Sequence, residues 1–204
     1  MVEKTEKKPT PKYAWVCVGV MTLAWLCCGL GLAGVIPYIP YYILNWNLNW
    51  TQCGLALVIT ALPLTFVGPL TKRMSAKLGK PYAKWIVTIS LAIMTAASLG
   101  SAFAPNFYIL MIARFVMGIG VFSIFLVGVM AVIPFFGMQN MKTLLPKFSV
   151  ISIAALSIGF PMVLIFWGPI GTLISSYQLA QAYTFVPIFG ISALLAAGLL
   201  KEAK

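Results

Sequence analysis

The chain has 204 residues, of which 61% are hydrophobic and only 8% are charged, with a formal net charge of +11. Soluble domains carry about 25% charged residues, so these proportions exclude a soluble globular protein and indicate a chain dissolved in a lipid bilayer. The sequence contains no histidine and no aspartate. Catalytic triads, carboxylate pairs and most metal sites are therefore excluded, and we expect neither enzymatic activity nor a cofactor.

Apolar segments long enough to cross a bilayer, which takes about 20 residues in a helix, recur along the whole chain after a polar tail at residues 1–12. No secretory signal is predicted in that tail. The segments cover residues 13–38, 51–74, 84–103, 107–136, 148–174 and 180–200, and residues 201–204 form a second tail. Thr51 is the predicted N-cap of the second helix. The sequence thus predicts an all-α membrane protein with six transmembrane helices.

Basic residues lie at one side of the predicted membrane. Thirteen of the fourteen Lys and Arg residues fall in the two tails and in the loops after the second and fourth segments, and the other three loops contain none. Because basic loops stay cytoplasmic, both termini are predicted to be cytoplasmic, in the inner membrane. Nucleic acid is not an expected partner, since the charges are spread among membrane loops.

Two short patterns occur once in each half of the chain. Residues 31–38 and 128–135 share glycine, a small residue, Val-Ile-Pro and an aromatic residue, and residues 66–70 and 166–170 share aromatic, Gly-Pro and aliphatic positions. The sequence therefore predicts two three-helix repeats, at residues 13–103 and 104–200. Since three is odd, the second repeat enters the membrane from the opposite side, as in inverted-repeat transporters. Helix packing is the role predicted for Gly68, Gly118, Gly120 and Gly168.

Three motifs resemble the major facilitator superfamily. They are the proline-rich exit and Thr-Gln-x-Gly entry within residues 35–55, the basic loop at residues 68–80, and the Arg-x-x-x-Gly-x-Gly pattern at residues 114–120. The resemblance implies an alternating-access transporter whose inner gating loop includes Arg73, Lys77, Gly79 and Lys80. Ala76 stands where the family usually has an aspartate, so this position lacks the carboxylate of the family's inner latch.

Members of that family normally have twelve helices, whereas this chain resembles the N-terminal six. Six helices would leave half of a central cavity facing lipid. A second copy in the same orientation would rebuild twelve helices around a two-fold axis. We therefore expect a homodimer in contact with membrane lipid. A heterodimer with a separately encoded half, or a piece of a longer protein, are the alternatives.

Arg114 is the only charged residue in the interior of the apolar segments, away from their loop ends. Intramembrane charges are costly and usually functional, and a guanidinium does not deprotonate. With no acidic residue or histidine in any segment, we expect Arg114 to attract a small organic or inorganic anionic substrate without a proton-carrying carboxylate. The alternative is a structural arginine that reaches the headgroups or hydrogen-bonds exposed carbonyl groups.

Further candidates for substrate contact are polar or aromatic residues within segments, namely Trp25, Thr60, Thr65, Ser152 and Ser157. Each has an alternative structural role, since Trp25 can pack in the core and small hydroxyl groups often bond to their own helix. The outer mouth is expected to carry Asn45, Asn47, Asn49 and Gln52.

Two other functions remain open at the level of sequence. The adjacent thiols of Cys27 and Cys28, with ten methionines in the chain, are ligands that suit a soft, copper-like ion, although neighbouring side chains on a helix diverge by about 100°. An accessory membrane subunit that keeps a transporter half only as a scaffold is the second alternative.

Overall fold

The computed structural model describes residues 11–69, 83–136, 147, 150–155, 157–158 and 177–200. The described residues form helices joined by short turns, and none of them lies in a strand. The helices are α1 (Pro11–Ala33), α2 (Ile39–Trp46), α3 (Trp50–Ala61), α4 (Ala83–Ala102), α5 (Phe107–Phe136) and α6 (Tyr177–Leu199). Four stretches are long and apolar enough to cross a membrane, namely Tyr13–Ala33, Trp50–Pro69, Lys84–Ala102 and Phe107–Gly128. The chain is therefore an all-α membrane protein.

The first transmembrane helix is shorter than predicted. It ends at Ala33 rather than near Tyr38, and a 3-10 turn at Ile36–Tyr38 leads into α2, a short helix that the sequence analysis missed. Pro37 explains the interruption, because it lacks an N–H and cannot continue the α-helical hydrogen bonds. The aromatic-rich stretch after α1 consequently begins with a folded helix, α2.

A capping box starts α3. Asn49 is the N-cap and accepts a hydrogen bond from the Gln52 backbone N–H, while the Gln52 side chain accepts one from the Asn49 N–H, each at 2.9 Å. The prediction of Thr51 as N-cap was wrong. Asn49, two positions earlier, forms with Gln52 the reciprocal pair of hydrogen bonds that satisfies backbone N–H groups at the start of the helix. Asn47, with φ 53°, turns the chain between α2 and α3.

The second transmembrane stretch is interrupted at Pro63. Helix α3 ends at Ala61, two turn residues follow, and residues 64–69 are helical again. Proline removes one backbone donor and clashes with the preceding turn, which accounts for a break that the predicted continuous helix at residues 51–74 did not include. The end of that prediction lies outside the described residues.

Helix α5 is the centre of the described bundle. It packs extensively against α4 and also contacts α1 and α3, and α6 packs against α4 and α1. Helices α1 and α5 run antiparallel, because Gly31 lies beside Met117 whereas Trp25 lies beside Gly128. The end of α1 near Ala33 is therefore level with the beginning of α5.

The two ends of the described chain meet. The Tyr13 hydroxyl donates a hydrogen bond of 2.9 Å to the Leu199 carbonyl oxygen, so the start of α1 and the end of α6 lie at the same end of the bundle. This arrangement agrees with an even number of crossings. The predicted fifth segment, residues 148–174, lies mostly outside the described residues, of which 150–155 are helical.

A buried cationic site at Arg114

Arg114 lies in the second turn of α5, and only 1% of its surface is exposed. Its Nη1 donates a hydrogen bond of 3.2 Å to the carbonyl oxygen of Gly31. Gly31 is among the last four residues of α1, whose carbonyl groups have no partner further along the helix. The guanidinium thus caps the C-terminal end of α1, where the helix dipole carries a partial negative charge.

No carboxylate of the membrane segments can neutralise this cation. The acids of the chain are Glu3, Glu6 and Glu202, and all three lie in the tails. Arg114 is bonded to Gly31, which is eighteen residues beyond Tyr13 on α1, or about 27 Å along the axis. Arg114 therefore lies far from the end of the bundle where Tyr13 meets Leu199. The partial charge of a helix end compensates a full charge only in part.

The guanidinium lines a narrow apolar cleft. The cleft is lined by Leu30, Gly31, Gly34, Ser98, Arg114, Met117, Phe185 and Phe189, and it has no room for a water molecule. Two buried polar atoms of its lining, Nε of Arg114 and Oγ of Ser98, have no hydrogen-bond partner among the described residues. The site therefore has two hydrogen-bond donors without acceptors, next to a positive charge.

The cleft lies inside the bundle. Its lining comes from α1, α4, α5 and α6, and α3 contributes nothing to it. Arg114 was expected to attract an anionic substrate, with a structural arginine as the alternative. In this structure it lines a narrow gap between helices, and its hydrogen bond to Gly31 matches the structural alternative of an arginine that bonds an exposed carbonyl group.

Trp25 belongs to a different part of the bundle. It is fully buried, and a Cβ atom at Gly128 would come within 3.0 Å of its Nε1. Gly128 is fourteen residues from Arg114, about 21 Å along α5. Trp25 is not among the residues that line the cleft at Arg114.

The predicted hydroxyl contacts are dispersed. Thr60 is buried but donates to the Ala56 carbonyl oxygen of its own helix at 3.0 Å. Thr65 is exposed and donates to the Leu62 carbonyl oxygen at 2.8 Å. In the helical stretch near residue 155, Ser152 is buried and Ser157 is exposed. None of these residues lines the cleft at Arg114.

The glycines predicted to pack helices differ in their surroundings. A Cβ at Gly118 would clash with the backbone carbonyl of Thr60, and one at Gly120 would come within 2.8 Å of the Ser90 carbonyl oxygen. A Cβ at Gly68 would meet no atom within 4 Å, so no close contact requires glycine there. Gly168 lies outside the described residues, as do the predicted gating residues Arg73, Lys77, Gly79 and Lys80.

The polar residues expected at the outer mouth serve local structure in part. Asn49 and Gln52 form the capping box of α3, and Asn47 occupies the left-handed turn. Below them, Tyr38 and Tyr42 are almost completely buried at the end of α1. The end of the described bundle near Ala33 is thus packed with aromatic side chains.

The two adjacent thiols point to different neighbours. The Cys27 sulfur lies 3.2 Å from the Ser192 hydroxyl of α6, whereas Cys28 donates to the Val121 carbonyl oxygen of α5 at 3.6 Å. Within the described residues, no group of three or more His, Cys, Asp or Glu side chains could hold a metal ion. This divergence argues against shared coordination of a soft metal by the Cys pair.

Ser98 was missed by the sequence analysis. A signal was present, because Leu91, Met94, Ser98 and Ser101 recur at helical spacing on α4 and are all buried. A polar residue on the packed stripe of a membrane helix must find a partner or remain unsatisfied. This spacing could have placed Ser98 in the core, but not beside Arg114.

No protein-family model matches the chain. Over 89 residues, 44% of the chain, it is 32% identical to the quinolone resistance protein NorA of Staphylococcus aureus, from strains that include N315 and COL. The match covers 22% of the length of that relative. Together with the apolar helices, this similarity supports a membrane transporter rather than an enzyme. It goes no further than a general likeness to transporters of the major facilitator superfamily.

Proposed function

We propose that this chain is half of a secondary transporter, that it functions as a homodimer in the inner membrane, and that Arg114 provides the positive charge for a small anionic substrate. The observation that carries the proposal is a fully buried guanidinium in a chain with no acidic residue between positions 7 and 201. A permanent charge in this setting is expensive, and an anion is the natural counterion.

The exposure of the second span supports a second copy. Only 28% of Trp50–Pro69 is buried inside the bundle, compared with 67% of Tyr13–Ala33. Its uncovered face includes Leu62, Thr65 and Phe66, so a hydroxyl group accompanies the apolar side chains there. A second copy across this face would enclose a shared cavity and complete a twelve-helix carrier.

The pattern of helix contacts supports two inverted repeats. A pseudo-two-fold axis would exchange α1 with α5 and α4 with α6. Accordingly α1 contacts α5, α4 contacts α6, and the α4–α5 pair has its counterpart in the α6–α1 pair. Gly31, which opens the repeated pattern in α1, faces α5, and Gly128, which opens it in α5, faces α1.

Both termini are proposed to be cytoplasmic. The contact of Tyr13 with Leu199 supports a common side for the two ends, and the basic residues of the tails support the cytoplasmic side. In this orientation the start of α5, and with it Arg114, lies toward the outer surface.

Transport assays with a matched substitution test the role of Arg114. We expect Arg114→Gln to abolish uptake of small monovalent anions into proteoliposomes, whereas Arg114→Lys, which keeps the charge but loses the planar donor geometry, retains part of it. Full uptake by Arg114→Gln would refute the proposal.

Drug export is a second candidate, favoured by the similarity to a protein named for quinolone resistance. A membrane protein gives resistance to a drug most directly by moving it out of the cell. The same proteoliposomes loaded with a quinolone separate the two functions. Quinolone transport that survives Arg114→Gln, with no anion uptake by the unmodified protein, would favour drug export.

A further inference from the structure

The cleft at Arg114 contains a second unsatisfied polar group. Ser98, on α4, is 1% exposed, and its Oγ has no partner among the described residues. Helices α4 and α5 are closely packed at this level, because a Cβ at Gly100 would lie 3.5 Å from the Ala113 side chain. Burial of a hydroxyl group without a hydrogen bond costs free energy, as does burial of the guanidinium Nε–H. One ligand that accepts from both would relieve both costs.

We propose that Ser98 Oγ and Arg114 Nε together bind a compact monovalent anion. This inference rests on the proposed function and narrows its substrate class. In the bound state the Ser98 hydroxyl and the Arg114 Nε–H both donate to the anion, while Arg114 Nη1 keeps its bond to the Gly31 carbonyl oxygen.

The lining of the cleft sets the size and charge of the anion. Apart from Ser98 and Arg114, the side chains around it are those of Leu30, Met117, Phe185 and Phe189. A doubly charged anion such as sulfate would exceed the single positive charge, and most of its oxygens would lie against carbon without donors. A halide or a very small carboxylate needs only one positive charge and few donors. The positive edges of the phenyl rings also tolerate a nearby anion.

The cleft must widen to admit such an ion, and its walls are suited to do so. Phe185 and Phe189 lie on α6 on either side of Pro187, a proline inside the helix. Proline removes a hydrogen bond and weakens that turn. Met117, on the opposite wall, has three rotatable bonds and adapts easily to a change of shape. Rotation of these side chains opens space without breaking the Arg114–Gly31 bond.

Bromide is the probe for the experiment. Thermal unfolding of the purified full-length protein in lipid nanodiscs is followed while sodium bromide replaces sodium gluconate at constant ionic strength. Gluconate is too large for the cleft. We expect bromide to raise the unfolding temperature of the unmodified protein in a saturable way, as any ligand specific for the folded state does, and to leave Arg114→Gln unaffected.

Ser98→Ala tests the contribution of the Ser98 hydroxyl separately from that of Arg114. Ser101→Ala is the matched control. Ser101 lies one turn further along α4, is also buried with an unpartnered hydroxyl, and does not line the cleft. We expect Ser98→Ala to weaken bromide binding by about tenfold or more, the value of one hydrogen bond to a charged group, and Ser101→Ala to leave it unchanged.

The outcomes separate the inference from the proposed function. If Ser98→Ala binds bromide as Ser101→Ala does while Arg114→Gln does not bind, the assignment of Ser98 is refuted and the role of Arg114 stands. If Arg114→Gln and Arg114→Lys both bind bromide like the unmodified protein, or if the unmodified protein does not respond to bromide, the anion site itself is refuted. Each variant is compared with its own unfolding temperature in gluconate, so a general loss of stability does not alter the result.

Discussion

At the scale of a single residue, Gly118 sets how closely the Trp50–Pro69 span approaches α5. It lies one turn after Arg114 on α5, and the backbone carbonyl of Thr60 occupies the space where a Cβ would be. Pro63, just after the end of α3 at Ala61, lies against the same position. Small residues of this kind allow helices in a bilayer to pack through van der Waals contact. The position of the second span therefore depends on the missing side chain.

Substitution of this glycine tests the contact. We expect Gly118→Ala to lower the free energy of unfolding by about 1–3 kcal/mol, the usual cost of overpacking, because the new methyl group meets backbone rather than a flexible side chain. The measurement is thermal unfolding in detergent. Gly54→Ala is the control, since a Cβ at Gly54 meets no atom within 4 Å, and it should be neutral or stabilising by up to about 1 kcal/mol. Equal effects of the two substitutions would contradict the packing role.

Single residues differed in how far the sequence could predict them. Arg114 was identified because it is the only charge in the interior of the apolar segments, but its acceptor at Gly31 could not be predicted, since a helix end is set by tertiary packing as well as by local sequence. Ser98 was overlooked because serine is common in membrane helices and its location beside the guanidinium depends on how α4 and α5 pack. Thr60, in contrast, bonds to its own helix, as small hydroxyl groups in such helices often do.

The capping box at the start of α3 fixes where the second span begins. Asn49 and Gln52 each satisfy a backbone N–H of the other residue, at the point where the chain returns from α2. Asn47 closes the preceding helix in a left-handed conformation that asparagine tolerates better than most residues. These interactions hold the connection between the first two spans in a defined geometry.

Removal of the cap should weaken this element. We expect Asn49→Ala to lower stability by about 1 kcal/mol, whereas Asn49→Ser, which keeps an acceptor oxygen on a short side chain, should retain most of it. Thermal unfolding of the two variants in the same detergent gives the comparison. An alanine variant as stable as the serine variant would mean that the box contributes nothing.

The helices themselves were predicted better than their ends. The bounds predicted for the fourth segment agree with α5, and the third segment differs from α4 by one residue at each end, because long apolar stretches bounded by polar loops have few alternatives in a bilayer. The errors occur where proline acts inside such a stretch. Pro37 follows the early end of α1 and Pro63 divides the second span, and hydropathy alone registers neither effect.

The uncovered face of the Trp50–Pro69 span determines the assembly expected for the whole molecule. Thr65 is exposed on this face, and the four native cysteines are buried. We expect a Thr65→Cys variant in membranes to form covalent dimers with a short bis-maleimide reagent, because in the proposed homodimer two copies meet across this face. The yield of dimer is measured on denaturing gels.

Leu194→Cys is the control for this experiment, since Leu194 is 74% exposed but lies on α6. It should react with maleimide yet form few dimers. Equal yields from both positions would indicate random collision and remove the support for a homodimer. Cross-linking to a different protein at Thr65 would indicate a heterodimer.

At the scale of the molecule, the sequence established the class of protein but not its assembly. The apolar composition and the segment lengths of a chain are set by the bilayer that surrounds it. The all-α membrane fold therefore follows from them directly. Whether an apolar face meets lipid or a second copy depends on small differences between similar surfaces. The sequence alone therefore does not show whether lipid or a second copy covers such a face.

The bond between Arg114 and Gly31 also has a consequence for biogenesis. The two residues are 83 positions apart, so α1 enters the membrane well before the ribosome has made α5. Insertion of an arginine into a membrane helix costs free energy, up to roughly 2.5–3.5 kcal/mol at the helix centre, and the carbonyl groups already present at the end of α1 offset part of that cost. Integration of the fourth segment is therefore coupled to the earlier arrival of the first, and the order of synthesis matches the order in which donor and acceptor are needed.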